Sequence, residues 1–126
     1  MLLELDFSHD VPIYMQIRNQ VVMGIADGRL SAGEKLPTIR GLANETGINM
    51  MTASKAYALL KQEGYIHTDR RSGAVVCGEI QGAGLVSAKI KQGLRLLIAE
   101  ALLSGVARRD FLELTTQLYS EMGGEK

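Results

Sequence analysis

The sequence predicts a mainly helical α+β fold, in which three helices and a β-hairpin precede two further helices. Apolar residues recur at helical spacing in five segments, and a strand-like alternation with a basic turn follows the third of them. A glycine-rich stretch then separates the last two helices from the rest. The 126 residues are enough for one core and a small appendage.

The first helix is predicted over about residues 12–27. Ile17, Val21 and Ile25 follow one another at steps of four and therefore form one apolar face. Proline in the first turn and glycine just after the last residue fit the two ends of such a helix. We expect Tyr14, also in the first turn, to pack in the core.

Two helices then follow in close succession. Thr38 is a good N-cap for a short helix that ends at Gly47, and Asn49 is a good N-cap for a longer one that ends near Gly64. A short helix and a longer one, joined by a turn of three or four residues that contains glycine, form the helix-turn-helix signature. The longer helix is therefore the expected recognition helix.

A β-hairpin is predicted directly after the recognition helix. Residues 65–68 alternate like a strand, residues 69–73 form a turn, and residues 74–77 return as the partner strand. Such a hairpin is a wing, and its tip carries Arg70 and Arg71, which can reach a phosphate or a minor groove. These elements together predict a winged helix-turn-helix domain.

The last two helices are predicted to form a dimerisation tail. The first ends at Gly105 and the second covers about residues 108–122. Their apolar surface is too wide for two helices to bury against each other, so we expect a second copy of the chain to cover it. The expected core and interface consists of Leu94, Leu97, Ile98, Ala101, Phe111, Leu114 and Leu118. The alternative is a tail that folds back on the N-terminal domain and completes a monomeric core.

The chain is predicted to comprise a winged helix-turn-helix domain at residues 1–77, a hinge at residues 78–84 and a tail at residues 85–126. Charge is distributed unevenly within the first of these. The 14 basic and 14 acidic residues balance overall, unlike the strongly basic composition common among nucleic-acid binders. Residues 1–28 hold one basic and four acidic residues, whereas residues 29–71 hold seven basic and four acidic ones. The helix-turn-helix and wing therefore lie in the positive part of the chain.

Other classes of protein find little support in the sequence. No apolar run approaches the roughly 20 residues of a membrane span, and the N-terminus lacks a signal-peptide pattern, so we expect a cytoplasmic protein. Cys77 has no second thiol for a disulfide or a zinc site and no histidine beside it in the sequence, so we expect a small buried strand residue. With only His9 and His67 and no catalytic motif, we expect neither an enzyme nor a bound metal or cofactor.

Three runs of residues carry a resemblance to a known family. They are PIYxQI at residues 12–17, GRLxxGEKLPTxRxLA at residues 28–43 and TASKAYxxLxxEGYI at residues 52–66. In this order they resemble the GntR family of bacterial regulators over about residues 11–76. The two helices that follow resemble the short YtrA-like subfamily, whose tail chiefly makes the dimer. The resemblance implies a repressor without a large ligand-binding domain.

The pattern and the resemblance together predict how the protein meets DNA. The helix from Asn49 enters the major groove, and a homodimer presents two such helices about one DNA turn apart to an inverted-repeat operator. The side chains expected at DNA are Lys35, Thr38, Arg40, Asn49, Met50, Met51, Thr52, Ser54, Lys55, Arg70 and Arg71. Arg40, at the arginine position of the family's LPxxR pattern, is the strongest candidate. The alternative for Arg40 is a surface ion pair with Glu45 or Glu63.

Two places depart from the family pattern. Met50 and Met51 stand where many relatives have a basic or polar residue. Either the two side chains contact thymine methyl groups, or one of them belongs to the core. Arg71 replaces a glycine often found at the wing tip, which favours a side chain in the minor groove over a close backbone approach.

The expected partners are double-stranded operator DNA and a second copy of the chain, with no membrane. A winged-helix module that binds a protein partner through its apolar tail, without sequence-specific DNA binding, is the alternative function. A small-molecule effector is compatible with a regulator, but the sequence identifies no pocket for one.

Overall fold

The computed structural model describes residues 3–71, 73–78 and 84–123 of the chain. These residues form α1 (Ile13–Ala26), α2 (Ile39–Thr46), α3 (Met50–Gln62), β1 (Ile66–Asp69), β2 (Gly73–Val76), α4 (Ala88–Leu103) and α5 (Arg108–Glu121). The predicted fold class, three helices and a hairpin followed by two helices, is confirmed. Most of the predicted hinge, residues 79–83, and Ser72 of the wing turn lie outside the described residues. The chain divides into two compact units, Met1–Ile80 and Gln81–Lys126.

The core of the first unit forms where α1, α2, α3 and the hairpin meet. Ile17 and Val21 of α1 and Leu60 of α3 have no exposed surface. The core also contains Leu30, Leu36, Leu42, Ala53, Ala56, Tyr57, Ile66, Ala74 and Val76. Burying one large aliphatic side chain stabilises a fold by about 2 kcal/mol, so this cluster is the main reason that the helices stay together.

The predicted N-caps set the boundaries of α2 and α3. The Thr38 Oγ1 atom accepts a hydrogen bond of 2.9 Å from the Gly41 N–H, and the Asn49 Oδ1 atom accepts one of 2.6 Å from the Met51 N–H. Gly47, just after α2, has φ of 75°, a left-handed conformation that glycine adopts without steric cost. The chain therefore turns sharply between the two helices.

A third segment pairs with the wing, which the sequence did not predict. β1 and β2 form an antiparallel pair, and Lys35 makes an antiparallel bridge with Val75 of β2. Beside that bridge, the Leu36 N–H donates a hydrogen bond of 2.8 Å to the Ala74 carbonyl. The segment ahead of α2 is therefore bonded directly to the wing.

An ion pair connects α1 to the end of α3. Two guanidinium nitrogens of Arg18 donate hydrogen bonds of 2.8 Å to the two carboxylate oxygens of Glu63, and each side chain is only 16% exposed. These hydrogen bonds raise the pKa of Arg18 above its usual value. The guanidinium also lies 5.8 Å from the centre of the Tyr65 ring. Charge-assisted, bidentate pairs of this kind hold two elements in one geometry.

The second unit is a helical hairpin. Ser87 caps α4, because its Oγ atom accepts a hydrogen bond of 3.1 Å from the Ile90 N–H. Gly105 has φ of 76°, and the Val106 N–H donates to the Ala101 carbonyl at 2.9 Å, which reverses the chain before α5. Neither α4 nor α5 has a buried residue. None of the helices in the described ranges is long and apolar enough to span a bilayer.

Cys77 differs from its predicted surroundings. It is half-buried rather than buried, and its Sγ atom lies 3.7 Å from the Nδ1 atom of His67. The two residues are ten positions apart in the sequence, and the antiparallel hairpin brings them together. No histidine adjoins the thiol along the chain, but the fold places His67 beside it in space.

Candidate nucleic-acid interface

The recognition helix α3 has one buried face and one exposed face. Ala53, Ala56 and Leu60 are fully buried against the rest of the first unit. Because an α-helix turns by about 100° per residue, the opposite face consists of Met51, Lys55, Ala58 and Gln62, all of which are exposed. This face is free to enter a groove. Ala58 was not among the predicted DNA contacts, although its spacing of seven residues from Met51 places it on the same side.

Both methionines at the start of α3 are exposed to solvent. Met50 is 48% exposed and Met51 is 79% exposed. The alternative that one of them belongs to the core is therefore wrong. At the first turn of a helix, the sequence pattern did not distinguish a core position from an exposed one, because few flanking residues define the face there.

The capping residues keep hydrogen-bond donors that the caps do not use. Thr38 and Asn49 accept backbone N–H groups through their side-chain oxygens. The Thr38 hydroxyl hydrogen and the Asn49 amide N–H groups can still donate, and both side chains are exposed. Thr52 is half-buried and Ser54 is exposed, both near the start of the same helix as the Asn49 cap. The start of each helix therefore offers donors suited to phosphate oxygens.

Arg40 lies exposed in the first turn of α2. The ion pairs in the described part of the chain join Arg18 to Glu63 and Arg29 to Asp27. The predicted alternative, an ion pair between Arg40 and a nearby glutamate, is therefore not formed. Its guanidinium group is available to an external partner.

A hydrogen bond holds the start of α2 against the recognition helix. The Tyr57 hydroxyl group, on the buried face of α3, donates to the Pro37 carbonyl at 2.7 Å. Burial raises the pKa of Tyr57, so the hydroxyl group stays protonated and remains a donor. Pro37 precedes the N-cap of α2, and the first turn that carries Arg40 is fixed relative to α3 as a result.

Lys55 is positioned by a residue of another helix. Its Nζ atom lies 4.1 Å from the centre of the Tyr14 ring, at the beginning of α1, which is cation–π distance. Tyr14 was expected only as a packing residue. No local pattern shows this pairing, because 41 positions separate the two residues in the sequence.

Three of the predicted DNA contacts, Lys35, Arg70 and Arg71, lie on or beside the wing. Arg70 and Arg71 are exposed in the turn between β1 and β2, where the Arg71 N–H donates to the Asp69 carboxylate at 2.7 Å. Lys35, exposed as well, lies beside β2 through its bridge with Val75. The fold thus places Lys35 with the wing rather than with α3.

The predicted interface residues of the tail border an apolar groove. Leu94, Ile98, Ala101 and Phe111 line a groove of about 360 Å³ between α4 and α5. Leu97, Leu114 and Leu118 are exposed on the same two helices. Exposed apolar surface of this extent is typical of an interface.

Comparison with known proteins identifies the family. The family model described as bacterial regulatory proteins, gntR family, matches residues 13–76. The chain is 34% identical to the HTH-type transcriptional repressor YtrA of Bacillus subtilis, over 99% of this chain and 98% of that protein. One similar solved structure is YtrA from Sulfolobus acidocaldarius, a GntR-family transcription factor, with 37% identity and a TM-score of 0.64 over 82% of this chain and 99% of that one. Another is a transcriptional antiterminator from Listeria monocytogenes EGD-e, with 26% identity and a TM-score of 0.83 over 97% of this chain and 92% of that one.

All three relatives are named as proteins that control transcription, and the family model covers α1, the helix-turn-helix and the wing. The chain belongs to the gntR family of bacterial regulatory proteins and is similar to its YtrA members.

Proposed function

We propose that the protein is a cytoplasmic, sequence-specific DNA-binding repressor, which binds an inverted-repeat operator as a homodimer. The observation that carries the proposal is the exposed face of α3, held beside an Arg40 that makes no ion pair within the described ranges. The full-length similarity to a protein named as a repressor supports the direction of regulation.

In the proposed complex, α3 enters the major groove and Arg40 donates two hydrogen bonds to a guanine edge. The hydroxyl and amide groups at the starts of α2 and α3 bind phosphates, as does the Lys55 ammonium group that Tyr14 positions. Lys35, Arg70 and Arg71 contact the backbone or the minor groove from the wing.

The proposed homodimer forms through α4 and α5. Two helices that bury none of their own residues need a partner to remove their apolar side chains from water. A second copy supplies an identical apolar face, as in the two-fold dimers that are the commonest oligomers. Its two-fold axis would match the symmetry of an inverted repeat.

Removal of Arg40 tests the proposed base contact. The purified protein is used to select from random duplex DNA, and the Kd for the enriched sequence is measured for the wild type and for Arg40→Ala. Each half-site then loses a bidentate contact to guanine worth about 2 kcal/mol, so we expect Kd to rise about thirtyfold for each half-site. The matched control is Arg29→Ala, an exposed arginine that pairs with Asp27, for which we expect little change. A selection that enriches no sequence contradicts the proposal and favours the protein-binding module instead.

Removal of Arg71 tests the wing. We expect Arg71→Ala to weaken binding and to lower the slope of log Kd against log salt by about 1 for each phosphate that is no longer neutralised, hence by about 2 in a dimer. The control is Lys91→Ala, because Lys91 is an exposed cation of α4. An unchanged salt slope for Arg71→Ala, measured between low and physiological salt, means that the wing tip does not contact phosphate.

A further inference from the structure

The exposed face of the recognition helix is apolar at Met51 and Ala58, where DNA-reading helices usually carry polar groups, and polar at Lys55 and Gln62. Met51, in its first turn, is 79% exposed, and Ala58, two turns later on the same side, is also exposed. No acidic residue lies in the first turn of α3. Nothing within the described residues shields Met51, so its apolar surface gains stability only on contact with a partner.

The position of Met51 is fixed by the cap of the helix. The Met51 N–H donates its hydrogen bond of 2.6 Å to the Asn49 side chain, and the buried Ala53 and Ala56 set the rotation of the helix about its axis. The thioether side chain therefore projects from the end of α3 that leads into the groove in helix-turn-helix complexes.

The chemistry of this side chain selects one kind of base edge. Methionine has no hydrogen-bond donor and only a weak acceptor, so it cannot satisfy the polar edges of guanine, adenine or cytosine. Thymine is the base that presents a methyl group in the major groove, and apolar side chains recognise it by contact. The flexible apolar side chain of Met51 therefore matches the methyl group of thymine.

We propose that Met51 selects thymine in each operator half-site through the 5-methyl group of the base. The inference rests on the proposed function, to which it adds a base preference and the group that is recognised.

The test uses two random duplex libraries that differ only in carrying deoxyuridine in place of thymidine, which removes the methyl group and keeps the hydrogen-bonding edge. We expect the wild type to enrich a repeat with a thymine in each half-site from the thymidine library. Replacing that base alone by deoxyuridine is expected to raise Kd about fourfold per half-site, the effect of one buried methyl group. For Met51→Ala we expect equal Kd values for the two duplexes.

Two variants serve as controls. Met51→Leu keeps an apolar side chain and is expected to keep the preference for thymidine, whereas Met23→Ala removes an exposed methionine from α1 and is expected to change nothing. A wild type that binds both duplexes equally, or a Met51→Ala protein that still discriminates, overturns the inference and leaves the proposed function standing. If neither library yields an enriched sequence, both are overturned. Equal thermal unfolding midpoints exclude a folding defect.

Discussion

Replacing Ile98 with aspartate is expected to convert the proposed dimer to a monomer and to raise the Kd for the proposed operator about 1,000-fold. Ile98 lines the apolar groove between α4 and α5, and a carboxylate there cannot be buried against a second apolar face without a large desolvation cost. Affinity falls because the second half-site is then no longer bound at the high effective concentration that a dimer provides. Light scattering coupled to size-exclusion chromatography measures the mass, and a binding titration measures Kd.

The matched control is Leu103→Asp. Leu103 belongs to the same helix and is 90% exposed, but it lies on the side of α4 away from Ile98 and outside the predicted interface. We expect this variant to remain a dimer. Because aspartate at position 98 can also disturb the helical hairpin, Leu118→Asp in α5 provides a second test, and circular dichroism checks the helix content. A dimer that survives both substitutions contradicts the proposed interface.

Arg18→Ala is expected to lower the free energy of unfolding by about 3 kcal/mol. The substitution removes the two hydrogen bonds that the guanidinium donates to the half-buried Glu63 carboxylate, and each hydrogen bond to a charged group is worth about 1.5 to 3 kcal/mol. It also removes the guanidinium from the Tyr65 ring. Urea unfolding at one fixed protein concentration measures the change, since the stability of a dimer depends on concentration.

Arg29→Ala is the comparison that isolates burial. Arg29 meets Asp27 at 2.8 Å, the same distance as in the Arg18 pair, but its side chain is 66% exposed. Solvent screens such a pair, so we expect a much smaller loss of stability than for Arg18→Ala. The Asp27 carboxyl has a pKa below its usual value because of its hydrogen bond with Arg29. If the two arginine variants lose equal stability, burial of the Arg18 pair is not what stabilises the fold.

The sequence predicted the helices of the first unit well, because their signals are local. Thr38 and Asn49 act as N-caps through hydrogen bonds to backbone groups two or three residues away, and Gly47 ends α2 in a left-handed conformation. Interactions over so few residues leave a recognisable pattern in the chain. The third segment of the wing left none, since it pairs through its backbone near Lys35 and Val75 and needs no particular side chains.

The sequence named candidate residues for the interface but not how the fold arranges them. The sequence named Arg40 and Lys55, yet it did not indicate that Tyr57 fixes the start of α2 through Pro37 or that Tyr14 holds the Lys55 ammonium group. Each of these contacts joins residues of different elements. Their geometry depends on how those elements pack, and one sequence carries no record of that packing.

By itself the sequence determined the order of the elements, the caps and turns between them, the family and the set of side chains expected at DNA. Only the tertiary structure decided that Met50 and Met51 are both exposed, that Glu63 pairs with Arg18 rather than Arg40 and that Lys35 lies with the wing. The physical reason is the range of the interactions. Hydrogen bonds within one turn of a helix are set by neighbouring residues, whereas burial and ion pairing are set by residues that the fold brings together from distant parts of the chain.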